Sequence, residues 1–349
     1  MALTHPHADV VTQRAADGKS ALDEVEALMI QLAAGDRLDR CGAMAVEHLS
    51  SGGKRIRARL ALAAAAALGV APEAAVGWAA ANELLHNASL VHDDIQDGDR
   101  VRRGHATVWA RHGVNQAINA GDLLLMLPVL AVSHVPASGD VKFALASLVS
   151  SYAAETVRGQ SLEMSLLGSR RMTRADYDRA ARGKTASLFA LPVHGAAVLA
   201  GNDAEEAAAI GAAFADIGLL FQIADDVLDL DGDKGRPAAS DVRQGRVSAL
   251  VVEHLRVYPE DEPWLFTLLN IPAAHTTDAV VDLVRQRFRL GGALDESMER
   301  VYELARNVLE SPVLSRHPAL RQVADDLVSK ILLPLRALDA SLPSCRSGA

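Results

Sequence analysis

Two acidic segments of the chain share a spacing that suits a divalent metal ion. Residues 92–97 read HDDIQD and residues 224–229 read ADDVLD, so each contains the pattern DDxxD. On a helix, the first and last Asp of this pattern lie ~6 Å apart on one face. Carboxylate oxygens favour Mg²⁺, which keeps several waters and completes its shell with substrate phosphates. The two segments therefore predict a site for a magnesium-bound phosphate compound.

A single DDxxD pattern is more often a solvated acidic face of a helix. The pair Asp325-Asp326 is such a case, because Ser329 occupies the position of the third carboxylate. The two complete patterns differ from it because each follows a strongly apolar stretch, SLV before the first and FQIA before the second. Uncompensated carboxylates are costly in apolar surroundings, and bound metal ions would offset that cost.

Two clusters of cations accompany the acidic segments. Residues 51–57 read SGGKRIR, and Arg102-Arg103-Gly104 follows the first DDxxD pattern by five residues. Arginine offers a planar fork for bidentate phosphate contacts, and lysine offers a compact point charge. Because a diphosphate needs metal ions on some oxygens and cations on others, the combination predicts diphosphate chemistry.

The elements that carry these residues are predicted to be helices. Apolar residues recur at steps of three and four from Leu84 to Ile95 and from Ile210 to Leu228, which is the pattern of packed helices. Alternating β-branched residues are scarce, so the fold class is predicted to be all α. Breaks between helices are expected at five places, the longest being Tyr258 to Thr277 with its three prolines. One catalytic domain over residues 21–340 is expected, with frayed termini at 1–20 and 341–349.

Composition excludes several classes of protein. Of 349 residues, 50% are hydrophobic and the formal net charge is −9, so nucleic acid is not an expected partner. The two cysteines, Cys41 and Cys345, are far apart and indicate a reducing cytoplasm, without disulfides or a zinc site. Charged residues interrupt the N-terminal segment where a signal peptide would be apolar, and no stable insertion into a membrane is expected.

The motifs of the chain, taken in their order along the sequence, resemble those of the trans-isoprenyl diphosphate synthases, or polyprenyl synthetases. This family includes bacterial geranylgeranyl and farnesyl diphosphate synthases. The matching segments are GGKRIR (52–57), LVHDDIQD (90–97), RRG (102–104), AGD (120–122), GQ (159–160), KT (184–185), FQIADDVLD (221–229) and SDVRQGR (240–246). The resemblance implies a single-domain helical bundle of the isoprenoid synthase type around a deep apolar cavity. It also implies a homodimer that uses Mg²⁺ to condense isopentenyl diphosphate with dimethylallyl, geranyl or farnesyl diphosphate.

The resemblance also assigns roles to individual residues. The metal ligands it implies are Asp93, Asp97 and Asp225, with Asp94, Asp226 and Asp229 as further catalytic carboxylates that bind metal directly or through water. The residues implied to hold isopentenyl diphosphate are Lys54, Arg57, His86 and Arg103. Those implied to hold the allylic diphosphate are Arg102, Lys184, Thr185, Gln222 and Arg246, of which Arg102, Lys184 and Arg246 also stabilise the leaving group.

The chain departs from the family pattern at several of these positions. Arg246 stands where the family usually has Lys, Glu163 replaces a common Asp, and Ala239 replaces a common Gly. Arg246 keeps the charge but changes its shape. Lys234 and Arg236 lie in the same loop, so the sequence leaves open which of the three cations contacts diphosphate.

The resemblance implies that the helix leading to the first acidic segment lines the tunnel for the growing chain, and so influences product length. The positions four and five residues before Asp93 are Ser89 and Ala88, both small, and Leu85 is the first bulky side chain one turn deeper, ~5.4 Å away. We therefore expect geranylgeranyl diphosphate, with farnesyl or longer diphosphates as alternatives. A class I terpene cyclase and a noncatalytic subunit of a heteromeric synthase are the alternatives from other classes.

Overall fold

The computed structural model describes residues 20–36, 39–230 and 238–341, and the side chains among them as far as residue 336. Lys234, Arg236, Cys345 and most of both predicted terminal segments lie outside the described residues. The described chain divides into two compact units. Unit 1 comprises the residues up to Ala153 together with Leu188–Ala212, and unit 2 comprises Ala154–Ser187 and the residues from Ala213 onward. The expectation of one catalytic domain over 21–340 stays a prediction.

The all-α prediction is confirmed. The helices of the first half are α1 (Ala21–Ala34), α2 (Arg40–Ser50), α3 (Ile56–Ala67), α4 (Pro72–Gln96), α5 (Val108–His112), α6 (Val114–Ser133), α7 (Gly139–Leu166) and α8 (Arg174–Ala181). Those of the second half are α9 (Ser187–Leu199), α10 (Ala204–Asp229), α11 (Ser240–Arg243), α12 (Ala249–Val257), α13 (Glu262–Leu269), α14 (Asp278–Leu290), α15 (Ala293–Leu309), α16 (Pro312–Arg316) and α17 (Pro318–Ser341). Helices α7, α9 and α10 contribute residues to both units.

A short β-hairpin interrupts the helices after α4. Strand β1 (Val101–Arg102) pairs with strand β2 (His105–Ala106), with Arg102 opposite His105. The two residues of the turn, Arg103 and Gly104, have φ of 53° and 79°. Positive φ at both central residues is the backbone of a tight two-residue hairpin turn. The sequence analysis did not predict this element.

The long break predicted between Tyr258 and Thr277 is wrong in part. Helix α13 lies inside it, with short 3₁₀ turns at Pro259–Asp261 and Ala273–His275. Pro263 occupies the first turn of α13, where proline is tolerated because its missing N–H has no partner within the helix. Leu265 and Leu269, one turn apart, bury the inner face of this helix.

Helix α4 runs through the core of unit 1, where it packs against α1, α3 and α6. Trp78 is fully buried, and its indole N–H donates to the carbonyl oxygen of Pro192 at 2.8 Å. A Cβ added to Gly195 would lie 2.0 Å from the Trp78 ring, so only glycine permits this approach of α9 to α4. The helix that carries the first acidic segment is therefore anchored in a dense apolar core.

Two of the described helices are long and apolar enough to cross a membrane by length and composition alone. They are α6 and α10, whose most apolar windows are 44% and 61% buried within the protein. Burial of this kind is also found in the core helices of proteins that do not span membranes, so length and composition alone decide nothing.

Candidate active site

Helix α4 carries three of the predicted site residues of unit 1, His86, Asp93 and Asp94, and Asp97 is its C-cap residue. Pro72 starts the helix at a position where its fixed φ is already helical, and Gly98 ends it with φ of 71°. His86 and Asp93 are seven residues apart and so share a face, while Asp93 and Asp97 are four apart. The last three turns of α4 therefore present an imidazole and the outer carboxylates of the first DDxxD pattern in one row.

The middle carboxylate of this pattern anchors the hairpin. Asp94 is 1% exposed, and its Oδ1 accepts a hydrogen bond from Nε of Arg102 at 2.6 Å. Burial raises the pKa of Asp94 to about 6, against the opposing effect of the Arg102 charge. The contact fixes the start of the Arg102-Arg103-Gly104 turn relative to α4.

The hairpin turn brings Arg103 into contact with the glycine pair of the GGKRIR segment. The Arg103 guanidinium donates to the carbonyl oxygen of Gly52, and a Cβ added to Gly53 would lie 2.7 Å from its Cζ. Gly53 has φ of 135°, a conformation that other residues rarely adopt. Unit 1 thus brings Arg103 into contact with the segment that carries Lys54 and Arg57. The role of these residues in one diphosphate site stays a prediction.

Arg57 is a buried cation in this cluster. It is 8% exposed, its guanidinium lies over the ring of Phe189 at 4.7 Å from the centroid, and its Nε has no hydrogen-bond partner in the described residues. Burial lowers the pKa of Arg57 to about 10, which leaves the group charged at neutral pH. Burial and the neighbouring Arg57, Arg103 and Arg102 charges lower the pKa of His86 well below its usual value, so His86 is a neutral donor. Lys54 is exposed.

The second DDxxD pattern lies at the end of α10 in unit 2, and its middle carboxylate is also a structural anchor. Asp226 Oδ2 accepts hydrogen bonds from the Tyr177 hydroxyl at 2.6 Å and from the backbone N–H of Ala249 at 2.7 Å. Its Oδ1 accepts from Nε2 of Gln222 at 2.8 Å, and Oε1 of Gln222 accepts from the Thr185 hydroxyl at 2.7 Å. Burial raises the pKa of Asp226 to about 6 against these hydrogen bonds. The chain of bonds fixes the orientation of Gln222 and Thr185, two predicted substrate contacts.

The third carboxylate of the second pattern holds the start of α11. Asp229 accepts hydrogen bonds from the Ser240 hydroxyl and, at 2.9 Å, from the backbone N–H of Asp241. Asp241 lies 3.8 Å from Nη1 of Arg246, and burial followed by the Asp226 and Asp229 charges raises its pKa well above the usual value. Asp241 was missed by the sequence analysis, although it belongs to the SDVRQGR segment.

Lys184 and Thr185 lie in a π-helical segment, Arg182–Ala186, between α8 and α9. A π-helical turn inside an α-helix often marks a functional site. A Cβ added to Gly159 would lie 2.1 Å from the backbone nitrogen of Lys184, so the GQ segment of α7 touches this turn through glycine alone. Lys184 forms an ion pair with Glu163, the residue at which the chain departs from the family pattern.

The donor set suits a metal ion that is shared with a substrate. Among the described residues no three His, Cys, Asp or Glu side chains form a ready metal cage. Asp93, Asp97 and Asp225 are instead half-buried carboxylates at the ends of two helices. Carboxylates of this kind, taken in each unit by itself, fit Mg²⁺, which binds through one or two carboxylates and completes its shell with water and substrate phosphates.

The fold and the two sites define a helical protein with paired acidic motifs and buried cations suited to diphosphates. A family model described as polyprenyl synthetase matches residues 39–286. The chain is 40% identical over 231 residues to the short chain isoprenyl diphosphate synthase of Methanothermobacter thermautotrophicus, covering 65% of this chain and 71% of that protein. It is 33% identical over 302 residues to the geranylgeranyl diphosphate synthase of Saccharolobus solfataricus, covering 81% of this chain and 88% of that protein.

A solved structure shows the same fold at low sequence identity. The geranylgeranyl pyrophosphate synthetase of Pyrococcus horikoshii superposes with a TM-score of 0.76 at 28% identity, over 88% of this chain and 95% of that one. The chain belongs to the polyprenyl synthetase family. It is a prenyltransferase, and enzymes of this family generally depend on divalent metal ions.

Proposed function

We propose that this enzyme extends an allylic diphosphate with isopentenyl diphosphate to give geranylgeranyl diphosphate, with Mg²⁺ as the metal. The observation that carries the proposal is the buried Arg57, which has no ion pair with any carboxylate in the described residues and lies in one cluster with Arg103. A buried guanidinium without an anionic partner is costly, and a bound diphosphate would supply that partner. The names of the two relatives support the same reaction.

The side chains divide between two substrates in this proposal. Lys54, Arg57, His86 and Arg103 hold isopentenyl diphosphate, and Arg102, Lys184, Thr185, Gln222 and Arg246 hold the allylic diphosphate. Asp93, Asp97 and Asp225 bind Mg²⁺, which neutralises charge on the diphosphate oxygens as the leaving group departs.

The reaction begins with ionisation of the allylic substrate. The bond between its C1 carbon and the diphosphate oxygen breaks, both electrons leave with oxygen, and Arg102, Lys184 and Arg246 stabilise the charge that develops there. The double bond of isopentenyl diphosphate then forms the new carbon–carbon bond to the allylic cation. The proton released from the adjacent carbon passes to the departing diphosphate, because the motifs contain no side chain suited to be a general base.

The product length is argued from α4. Ala88 is 1% exposed and Leu85 is 3% exposed, and both belong to the apolar core of unit 1, whereas Ser89 is half-buried and its hydroxyl donates to the carbonyl oxygen of His86. Small side chains at positions 88 and 89 obstruct a growing chain less than bulky ones would, which supports a geranylgeranyl product over a farnesyl product.

We include a cytoplasmic homodimer in the proposal. Helix α6 exposes apolar residues on one face, with Val114 43%, Ile118 41%, Met126 61% and Leu130 53% exposed, and the exposed Asp122 lies between Ile118 and Met126. Exposed apolar residues grouped on one face of a helix indicate a protein interface. A second copy of the chain is the proposed occupant, as in the family that the sequence resembles.

The test is turnover by the purified chain. With Mg²⁺ and isopentenyl diphosphate, each of dimethylallyl, geranyl and farnesyl diphosphate should yield a C20 product by mass spectrometry, and a chelator should abolish the product. Shorter or longer products would overturn the chain length alone. A hydrocarbon formed without isopentenyl diphosphate would indicate a terpene cyclase, and activity that requires a second protein would indicate a noncatalytic subunit.

A further inference from the structure

Glu83 is a buried carboxylate beside the cation cluster of unit 1 that the roles above do not use. It lies on α4, three residues before His86, and is 1% exposed. Its Oε2 accepts a hydrogen bond from the backbone N–H of Ala58 at 3.1 Å. A buried carboxylate costs several kcal/mol unless donors compensate it, so this position calls for an explanation.

The bond from Ala58 substitutes for a missing cap at the start of α3. The first N–H groups of a helix have no partner within the helix, and a capping side chain usually accepts from the second or third of them. At the N-cap of α3 stands Arg55, which has φ of 49° and makes no capping bond. The Arg55 side chain instead donates to Glu26 at 2.8 Å and to the carbonyl oxygen of Leu49 at 2.5 Å. Glu83 therefore reaches from α4 to supply the acceptor that α3 lacks.

This capping contact lies one residue from Arg57. Arg57 precedes Ala58 in the first turn of α3, so the position of that turn sets the backbone position from which the Arg57 side chain extends. The Glu83 charge also acts on Arg57 and Arg103, yet neither forms an ion pair with Glu83 in the described part of the chain. The second oxygen of Glu83 accepts from Nδ2 of Asn87 at 3.3 Å. The Glu83 carboxylate thus accepts hydrogen bonds from one backbone amide and one side-chain amide. Arg57 and Arg103 therefore remain available to bind an anion.

We propose that Glu83 is a positioning residue for the isopentenyl diphosphate site, where it fixes the first turn of α3 so that Arg57 meets the diphosphate. The inference rests on the proposed function, which assigns isopentenyl diphosphate to this site. The allylic diphosphate is assigned to other residues, so loss of Glu83 should affect one substrate and not the other.

Three substitutions of Glu83 separate the effect of its side-chain length from the effect of its charge. Glu83→Gln keeps an oxygen that reaches the Ala58 N–H and loses the charge, whereas Glu83→Asp keeps the charge and withdraws it by about one carbon–carbon bond, ~1.5 Å. Glu83→Ala loses both. We expect KM for isopentenyl diphosphate to rise at least ~10-fold in Glu83→Asp and Glu83→Ala and less than ~3-fold in Glu83→Gln. KM for the allylic substrate should change less than ~3-fold in all three.

Asp39→Ala is the matched control. Asp39 caps α2 by accepting from the backbone N–H of Gly42 at 2.7 Å, as Glu83 caps α3, but it is exposed and the proposed function assigns it no role in binding. We expect Asp39→Ala to lower the melting temperature without changing either KM. Thermal unfolding of every variant shows which ones fold. If Glu83→Ala does not fold, the comparison of Glu83→Asp with Glu83→Gln still tests the positioning role of Glu83.

Two results would overturn the inference: parallel rises in both KM values, or a Glu83→Asp enzyme with normal KM beside an impaired Glu83→Gln. Failure of the proposed function would look different, because the wild-type chain itself would then form no prenyl product from isopentenyl diphosphate.

Discussion

At the scale of single residues, the middle aspartate of each DDxxD pattern has a structural task within its own unit. Asp94 holds Arg102, and Asp226 holds Tyr177 and the start of α12. Both are nearly buried, at 1% and 5% exposure. The outer residues Asp93 and Asp225 are half-buried and so are better placed to meet a metal ion and a substrate. The pattern thus combines anchoring and binding in adjacent residues.

Asp93→Ala and Asp225→Ala should each lower turnover by ~100-fold or more, because each removes a carboxylate that holds the metal ion at the leaving group. Folding should survive, since each change relieves repulsion between neighbouring carboxylates. Steady-state kinetics at saturating Mg²⁺ and thermal unfolding measure the two effects. The control is Asp326→Ala, an exposed acidic residue of α17 that is hydrogen-bonded to Gln322. Near-normal activity in both site variants would exclude the metal assignment.

His48 should make the stability of the protein sensitive to acid. It is 6% exposed, and burial followed by the Arg103 and Arg102 charges lowers its pKa to about 4, against the opposing effect of the Asn87 side chain. Between pH 6.5 and 4 the unfolded chain therefore binds a proton at His48 that the folded chain does not. Stability falls as the pH falls through this window, by a total of about 3 kcal/mol, and is unaffected above it.

His48→Gln removes the titrating group, so its free energy of unfolding should depend less on pH between 6.5 and 4 than that of the wild type. Urea unfolding at several pH values measures the two slopes. Equal slopes in both proteins would show that His48 does not carry this acid sensitivity. The absolute stability at pH 7 does not enter the comparison, because packing around residue 48 changes as well.

At the scale of elements, the sequence predicted what periodicity and local motifs encode. The apolar repeats from Leu84 to Ile95 and from Ile210 to Leu228 are confirmed as parts of α4 and α10. The hairpin at Val101–Ala106 and helix α13 were missed, since two-residue strands have no periodicity and the prolines of α13 were taken as breaks. Ala239, where the family often has Gly, has φ of 51°, a left-handed conformation that no local sequence signal indicates.

Contacts between distant residues account for the other omissions. The motifs identified Lys184, Gln222 and Asp226, but Tyr177 is 49 residues from Asp226 and carries no motif of its own. Glu83 and Phe189 act on Arg57 only because α4 and α9 pack near the start of α3. Spacing along one helix can be read from a sequence, whereas packing between helices depends on the whole unit.

The crossing of α7 with the π-helical segment gives a prediction for an element. In Gly159→Ala the new Cβ would lie 2.1 Å from the backbone nitrogen of Lys184, and backbone atoms cannot move away as a flexible side chain does. We expect a loss of about 1–3 kcal/mol in stability. Turnover should fall ~100-fold, because Lys184 and Thr185 are displaced from their substrate.

Gly168→Ala is the matched control for this crossing, since a Cβ at Gly168 meets nothing within 4 Å. Its stability and turnover should stay near those of the wild type. A Gly159→Ala enzyme with normal kinetics would mean that the close approach of α7 does not position Lys184 and Thr185. Urea unfolding and steady-state kinetics on both variants measure the difference.

At the scale of the whole molecule, family membership rests on an ordered set of motifs rather than on any one of them. The motifs from Gly52 to Arg246 lie within the matched range of 39–286, and the helices after it, α15 to α17, carry no motif that the sequence analysis identified. Composition gave the helical class and the local motifs gave the chemistry. Product length and assembly depend on surfaces formed by several helices, so they remain proposals.

Assembly gives the last prediction. Met126 is an exposed apolar residue on this face of α6, and Met126→Glu would place a charge where a second copy must exclude water. Light scattering coupled to size exclusion should give a dimer mass for the wild type and a monomer mass for Met126→Glu. Leu290→Glu, at an equally apolar position with 88% exposure at the end of α14, should leave the dimer intact. A wild-type monomer, or a Met126→Glu dimer, would exclude this face of α6 as the interface.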